Sequence, residues 1–436
     1  MSQFSVRASS RPIHLAFLVT LAGFASAPCF GQAGPQTIVV SSPAELVAAM
    51  TPANEGRRIL VRAGTYDIGS SLVVPDRASL VGEGIMQFDA SGLPTGFEPA
   101  NRTLLRALPA LQGDLVRLGD GTDLTGLALE DHPGRNAGNL VGVVSRAAQD
   151  WIAASIDRVE IINPNPSLAT PQMPTGRGIV VWTNNPNLAS DPPPHDGTML
   201  SVKIRQSIVR SPGGGIGLFA INFSSNSRIA LLLSNNVLGG GLNAAGGVSR
   251  PDGVADSQIA IESMRNLYRA DSAQSNAGWA VVAGSSAALP GLVAGAVHGN
   301  ALRIGSIADR IEGFRIGVSA TGGQRTSPSA AISLNSVHVH AVGLTLRTQV
   351  TDVALFGARS LIDGVATGDD NTARVVLRDV DGSGPRDNLY AHSASPSMNL
   401  LGNGNRLELV GSPMSFARTS ANLVQPPQAA LFTNSP

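Results

Sequence analysis

Cysteine is all but missing from this 436-residue chain, and the single one, Cys29, lies near the N-terminus, ahead of Ala33. Disulfides therefore cannot staple the body of the protein, and no Cys-x-x-Cys metal or redox site exists. Serine nucleophile signatures are missing as well, with no Gly-x-Ser-x-Gly elbow. Aromatic residues make up only 4% of the chain and charged residues 14%. A sandwich or α/β protein of this length usually carries more of both. Lysine occurs once, at Lys203, so 30 of the 31 cations are arginine. The formal net charge is zero, and no basic run or RNA-binding aromatic motif points to nucleic acid. No helical period of about 10–15 residues separates the apolar stretches, which argues against ordinary βαβ units.

What is present is glycine, 49 residues of it, and a short alternating unit. Ser201 to Gly241 shows it best. Val202 and Ile204 alternate, Gly213-Gly214-Gly215 breaks the chain, and Ile216, Leu218 and Ala220 alternate again. Phe219, Ile221 and Phe223 offer a rival face of opposite parity. After Asn226 come Ile229, Leu231 and Leu233, and then the corner Ser234-Asn235-Asn236. Period-two alternation marks half-buried strands, and Gly and Asn supply left-handed corners between them. Similar units start at Leu124, Ile156, Ser257, Asp309, Ala330, Asp352, Ala373 and Asn405, with the starts at Ala330, Asp352 and Ala373 the most evenly spaced. Such a unit cannot bury its apolar face alone, so stacking of successive turns is expected. The expected fold class is all-β: one coil of about 12 rungs, with Val202, Ile204, Ile229, Leu231, Ile332 and Leu334 stacked inward.

The pattern from about residue 37 onward resembles the right-handed parallel β-helix of the pectate-lyase-like superfamily. The resemblance implies a single right-handed parallel β-helix solenoid with a short N-terminal capping helix. Ser41 to Met50 is read as that helix, with Ser42 as N-cap and Pro43 at the first position. Residues 1–33 read as a signal peptide: Arg7 and Arg11 precede an apolar run from Leu15 to Ala27, and Gly31-Gln32-Ala33 fits a cleavage site. Pro28 before Cys29 argues against lipidation. The expectation is a secreted or periplasmic protein with no membrane attachment after cleavage, a β-helix over 34–420 and an irregular tail over 421–436. Gly82-Glu83-Gly84 is a tight turn, since no helix pattern follows it.

Relatives of this fold act on acidic sugars, which makes an acidic polysaccharide the implied partner. The ordered motif sets of pectate lyases and galacturonases are not in this sequence. Eight of the 28 prolines fall between Ile162 and Leu200, an excursion that also holds Arg177, Trp182 and the only His-Asp dipeptide, His195-Asp196. Such loops are where solenoids place binding residues. Asp191 to Asp196, DPPPHD, resembles the Asp-Pro-His-Asp motif of mannuronan C5-epimerases, with Pro193 where that motif has an Asp. The resemblance implies His195 as the proton-transfer residue and Asp196 as its neighbour.

Arg205, outward beside Lys203, is the candidate cation for a uronate carboxylate, with Arg177 and Arg210 as alternatives. Trp182, Arg177 and Lys203 complete the expected substrate contacts. His338 and His340 leave one outer strand face and form a second candidate binding pair. Asp379, Asp381 and Gly382, and the run Asp120-Gly121-Thr122-Asp123, are fragments of Ca²⁺ loops without the full ligand series, so Ca²⁺ stays open and corners are the plainer reading. Two functions follow: an exported uronate lyase or C5-epimerase, or a non-catalytic β-helix scaffold or adhesion module.

Overall fold

The computed structural model describes residues 36–434 apart from 136–137, 167, 170–173, 184–194, 274, 287–294, 329, 384–387, 396–401 and 412–430. The expected signal peptide, residues 191–194 of the proline-rich excursion and most of the expected tail lie outside the described residues. From Thr37 onward the chain forms one compact unit. It is an all-β parallel solenoid in which strands of successive coils pair side by side. Among the described residues, a 13-stranded, a ten-stranded and a nine-stranded sheet run along the stack. At a strand spacing of about 4.8 Å, thirteen rungs span roughly 55–60 Å.

One coil shows the plan. Met199–Arg205 lies in the 13-stranded sheet, Ile208–Arg210 in the nine-stranded sheet and Ile216–Asn222 in the ten-stranded sheet. The chain then returns to Arg228–Ser234, which pairs in register with Met199–Arg205. Coil length is therefore not the short spacing that separates Ala330, Asp352 and Ala373. Ile204 pairs with Leu233, 29 positions on, and Val337 with Ala373, 36 positions on. The shorter spacing is the step between strands within one coil: Thr351–Ser360 belongs to the ten-stranded sheet, whereas Ser336–Val342 and Thr372–Arg378 belong to the 13-stranded one. Leu431–Asn434, inside the stretch expected to be irregular, adds a last parallel strand against Arg406–Gly411.

Val202, Ile204, Ile229 and Leu231 point inward and are buried in the main core, as their alternation requires. Leu334 does not. It is 51% exposed and holds a positive φ of 56°, because it occupies a left-handed corner. Ile332 is buried, but in a short three-stranded sheet with Val254–Ala255 and Val297–His298. Phe219, Ile221 and Phe223 are buried too, together with Trp182, in a second apolar cluster. Both parities of Ile216–Asn222 are thus used: Leu218 and Ala220 face the main core, and the aromatic face lies outside it.

Two columns of left-handed corners shape the coils. Entering the 13-stranded sheet they are Gln149, Gly197, Asn226, Asp256, Gly299, Leu334, Asp370 and Gly404. Leaving it they are Gly126, Arg158, Gln206, Asn235, Arg265, Ala308, Gly343 and Asp379. After these corners a residue turns inward, and in part of each column the inward residues are polar and hydrogen-bond to one another up the stack. Beyond the first column the side chains of Asn300, Asn335, Asn371 and Asn405 form a buried ladder, each Nδ2 donating to the next Oδ1 at 3.0–3.2 Å. Beyond the second, Asn236 donates to Asn266 at 2.9 Å and Asn266 to Asp309 at 3.1 Å. A stacked coil places equivalent amides one strand spacing apart, so each satisfies the next where no water reaches.

Asp309 ends the second ladder as a buried carboxyl, taking hydrogen bonds from Asn266 and from Ser306 Oγ at 2.6 Å. Burial raises its pKa above the ordinary carboxylate value, against the pull of these donors. The folded state then holds the proton more tightly than the unfolded chain. The resulting stabilisation is complete below the unfolded pKa and is lost as pH rises through the raised folded one. Asp309→Asn, which cannot ionise, is expected to gain stability relative to wild type between about pH 4 and about pH 8. Urea midpoints at the two pH values check this; an equal or shrinking difference at the higher pH contradicts it.

Candidate functional site

The His-Asp dipeptide sits where the ten-stranded sheet hands the chain to the 13-stranded one. Strand Val141–Val144 ends at Ser145, and the corner that follows leads into Trp151–Asp157. One coil later, His195 and Asp196 make the equivalent corner into Met199–Arg205. The two corners stack through Gln149 N–H on Asp196 O at 2.8 Å and Met199 N–H on Asp150 O at 2.8 Å.

His195 is half-buried, with Nδ1 2.8 Å from Ser145 Oγ. Burial lowers its pKa, and the nearby Asp150, Ser145 and Asp196 offset only part of this, so the ring is neutral at pH 7. In the tautomer whose Nδ1–H donates to Ser145, Nε2 carries the free lone pair. Asp196 is not the group that orients this ring. Its carboxylate takes the Ser225 N–H at 2.7 Å and an Arg250 N–H at 3.1 Å. Arg250 is nearly buried, and a second carboxylate, Asp252, stands 2.9 Å from it. Beside Ser145, the half-exposed Arg146 bridges Asp76 at 2.8 Å and Asp150 at 3.3 Å. These carboxylates raise its pKa further and keep it charged.

The expected substrate contacts are dispersed. Trp182 is 2% exposed, edge-on to Phe219 with ring centroids 6.4 Å apart, and offers no open face for a sugar. Arg177 is buried, its guanidinium 3.5 Å from the Phe219 ring centroid, and burial pulls its pKa down to about 9. Neither residue belongs to a surface site, because the outer face of the ten-stranded sheet is itself buried here. Lys203 and Arg205 do point outward. Arg205, however, lies at the far end of its strand, 3.6 Å from Asp157 and about 20 Å along the backbone from Met199. It does not join His195. Arg210 is 3.4 Å from Glu160 in the nine-stranded sheet and is equally remote.

The tryptophan that is available is Trp151, 66% exposed on the outer face of the 13-stranded sheet, next to Asp150 and in register with Met199. Its outward parity is legible in WIAASID, where Ile152, Ala154 and Ile156 alternate inward. Asp150 and Ser145 carry no comparable signal, since only the stacking of coils brings them to His195, and Arg146 stands at Asp150.

No family model matches this chain. A search of curated proteins likewise finds no match.

His338 and His340 share the outer face of Ser336–Val342, His338 half-buried and His340 exposed. Of the acidic corners, Asp379 is a left-handed corner residue, Asp381 is ion-paired to Arg347, and Asp120 accepts the Ala153 N–H at 3.0 Å. These carboxylates serve the turns of the coil, and among the described residues no group of three or more His, Cys, Asp and Glu is arranged to hold a metal.

Proposed function

We propose that this chain is an exported right-handed parallel β-helix of the pectate-lyase-like kind that binds an acidic polysaccharide at the corner formed by Ser145–Trp151 and His195. The observation that carries the reading is an exposed indole, Trp151, next in the chain to Asp150, whose charge acts on a neutral imidazole, His195, held by Ser145. An aromatic face stacks on the apolar face of a sugar ring, and a neutral histidine is the base that uronate chemistry requires. Helix Pro43–Ala49, whose Leu46 and Ala49 are buried in the core, serves as the cap of the N-terminal end.

In the reaction proposed, His195 Nε2 takes the C5 proton of a uronate, and the electron pair moves into the bond toward the carboxylate. Either the C4 oxygen then leaves with formation of a C4–C5 double bond, taking a proton from solvent, or a proton returns to C5 from the other face. Arg146 takes the role expected of Arg205, its positive charge favouring the developing enolate.

A second reading, a non-catalytic polysaccharide-binding scaffold, is supported by the ion pairs themselves. Arg146 and Arg250 are each already shared between two carboxylates. Affinity electrophoresis through alginate, polygalacturonate and glycosaminoglycan gels tests binding. Trp151→Ala is expected to weaken retardation about tenfold, the loss of one stacking contact worth roughly 1.4 kcal/mol. No retardation of the wild-type protein in any acidic polymer overturns both readings. Retardation without double-bond absorbance or C5 proton exchange leaves the scaffold.

A further inference from the structure

We propose that Arg303, His338 and Arg374 form a binding site for an oxyanion (a sulfate, phosphate or carboxylate group) and that the anion binds with proton uptake at His338. The three residues are successive members of one outward column of the 13-stranded sheet. Arg303 pairs in register with His338, and His338 with Arg374. Their neighbours Leu302, Ile304, Val337, Val339, Ala373 and Val375 all face the core, so the three polar side chains project together. Adjacent members stand about 4.8 Å apart at the backbone.

Like charges directly opposite one another on a sheet are destabilising, and here a titratable ring is held between two guanidinium groups. Arg374 has a partial counter-charge, Glu408 one rung further on, 3.1 Å away. Arg303 has no carboxylate within ion-pair distance among the described residues. On the same strand as Arg303, Gly305 opens a notch: a Cβ there would meet nothing within 4 Å. Gly305 pairs with His340 on one side and with Glu262 on the other, so the notch is bordered by Arg303, His338 and His340, with the carboxylate of Glu262 on its far edge. Two guanidinium forks and an imidazolium around an open step are a donor set suited to an anion with several oxygens.

The groups that face His338 from the packed elements are Arg303 below, Arg374 above with Glu408 beyond it, and His340 on its own strand; Glu262 lies one rung below Gly305. Burial and the two arginines lower the His338 pKa, with Glu408 opposing, so in the empty site the His338 ring is neutral near pH 7. An anion between the arginines cancels their repulsion and favours the imidazolium. Binding should therefore strengthen as pH falls. His338 stands four rungs beyond Met199–Arg205, roughly 19 Å along the stack from the His195 corner, so the site does not depend on the reading above.

The test is a histidine-resolved NMR titration of the full mature chain, with His338 assigned from His338→Gln. Sodium sulfate and a short oligogalacturonate are the two probes. On saturation the His338 pKa is expected to rise by about one pH unit. Arg303→Gln should weaken binding about tenfold, as the loss of a charge-assisted hydrogen bond implies. Response to sulfate supports a site for a small anion, and response to the oligouronate alone supports one for a polymer-borne carboxylate. A His338 resonance indifferent to both probes, or an Arg303→Gln protein that responds like wild type, overturns the site. Failure of the Trp151 binding experiment leaves this readout untouched.

Discussion

Asn335→Ala is expected to lower the unfolding free energy by about 3 kcal/mol, and Gly284→Ala by about 2 kcal/mol, yet the double variant should cost much less than their sum. Asn335 is fully buried and makes four ladder contacts. Its Nδ2 donates to Asn371 Oδ1 at 3.0 Å and to Val297 O at 3.1 Å. Its Oδ1 accepts the Asn300 N–H at 3.1 Å and the Asn300 Nδ2 at 3.0 Å. Truncation leaves two donors of Asn300 without this acceptor in a place water does not reach, and an unmet buried donor costs about 1–3 kcal/mol. Gly284 faces the same side chain from the ten-stranded sheet. A Cβ there would stand 2.4–2.6 Å from three atoms of the Asn335 side-chain amide. Gly247 and Gly323, its register partners, meet Asn300 and Asn371 in the same way. Glycine is required in this column because the asparagine ladder fills the space a methyl group would take. Remove the Asn335 amide, and the methyl of Gly284→Ala has room. Urea unfolding of the four proteins measures the coupling; strictly additive losses would show that ladder and glycine column do not touch in solution.

His195→Ala is expected to reduce turnover on the responsive acidic polymer by roughly 10²–10⁴-fold, the usual contribution of a general base, while changing stability by less than about 1 kcal/mol. The split follows from position. His195 lies at a half-buried corner outside the stacked core, and among the described residues its side-chain bond is to Ser145. A base works deprotonated, so the rate should rise with pH through the folded-state pKa of His195. Burial sets that pKa below the ordinary imidazole value near 6.5, which leaves the rate level at neutral pH and falling only on the acid side. Asp150→Asn removes a charge that raises this pKa and should carry the acid limb to lower pH. A His195→Ala protein with undiminished turnover, or an acid limb unmoved by Asp150→Asn, removes His195 from the mechanism.

Alternation along single strands was enough to determine the all-β stack and the inward faces of Val202, Ile204, Ile229 and Leu231. The corners at Asn226 and Asn235 were legible for the same kind of reason. Asparagine tolerates a left-handed φ, here 53° at both positions, and that preference is local. Which neighbouring asparagine turns inward is not local. Asn235 makes the corner and Asn236 the ladder, and the ladder partner, Asn266, is 30 residues away. The same distance hid the coil length, because the repeat visible in sequence is the step between strands, whereas the repeat that builds the core is the step between registered strands.

Trp151 and Trp182 both sit outward on their strands, but a second apolar layer buries one and solvent meets the other. His195 was visible as a lone dipeptide in a proline-rich excursion. Its actual surroundings, Ser145 and Asp150, come from the preceding coil, and its neighbour Asp196 meets Arg250 from a later one; all are distant in the chain. A solenoid makes neighbours of residues one coil apart, and coil length varies with every insertion at a corner, so only the registered stack decides which side chains meet.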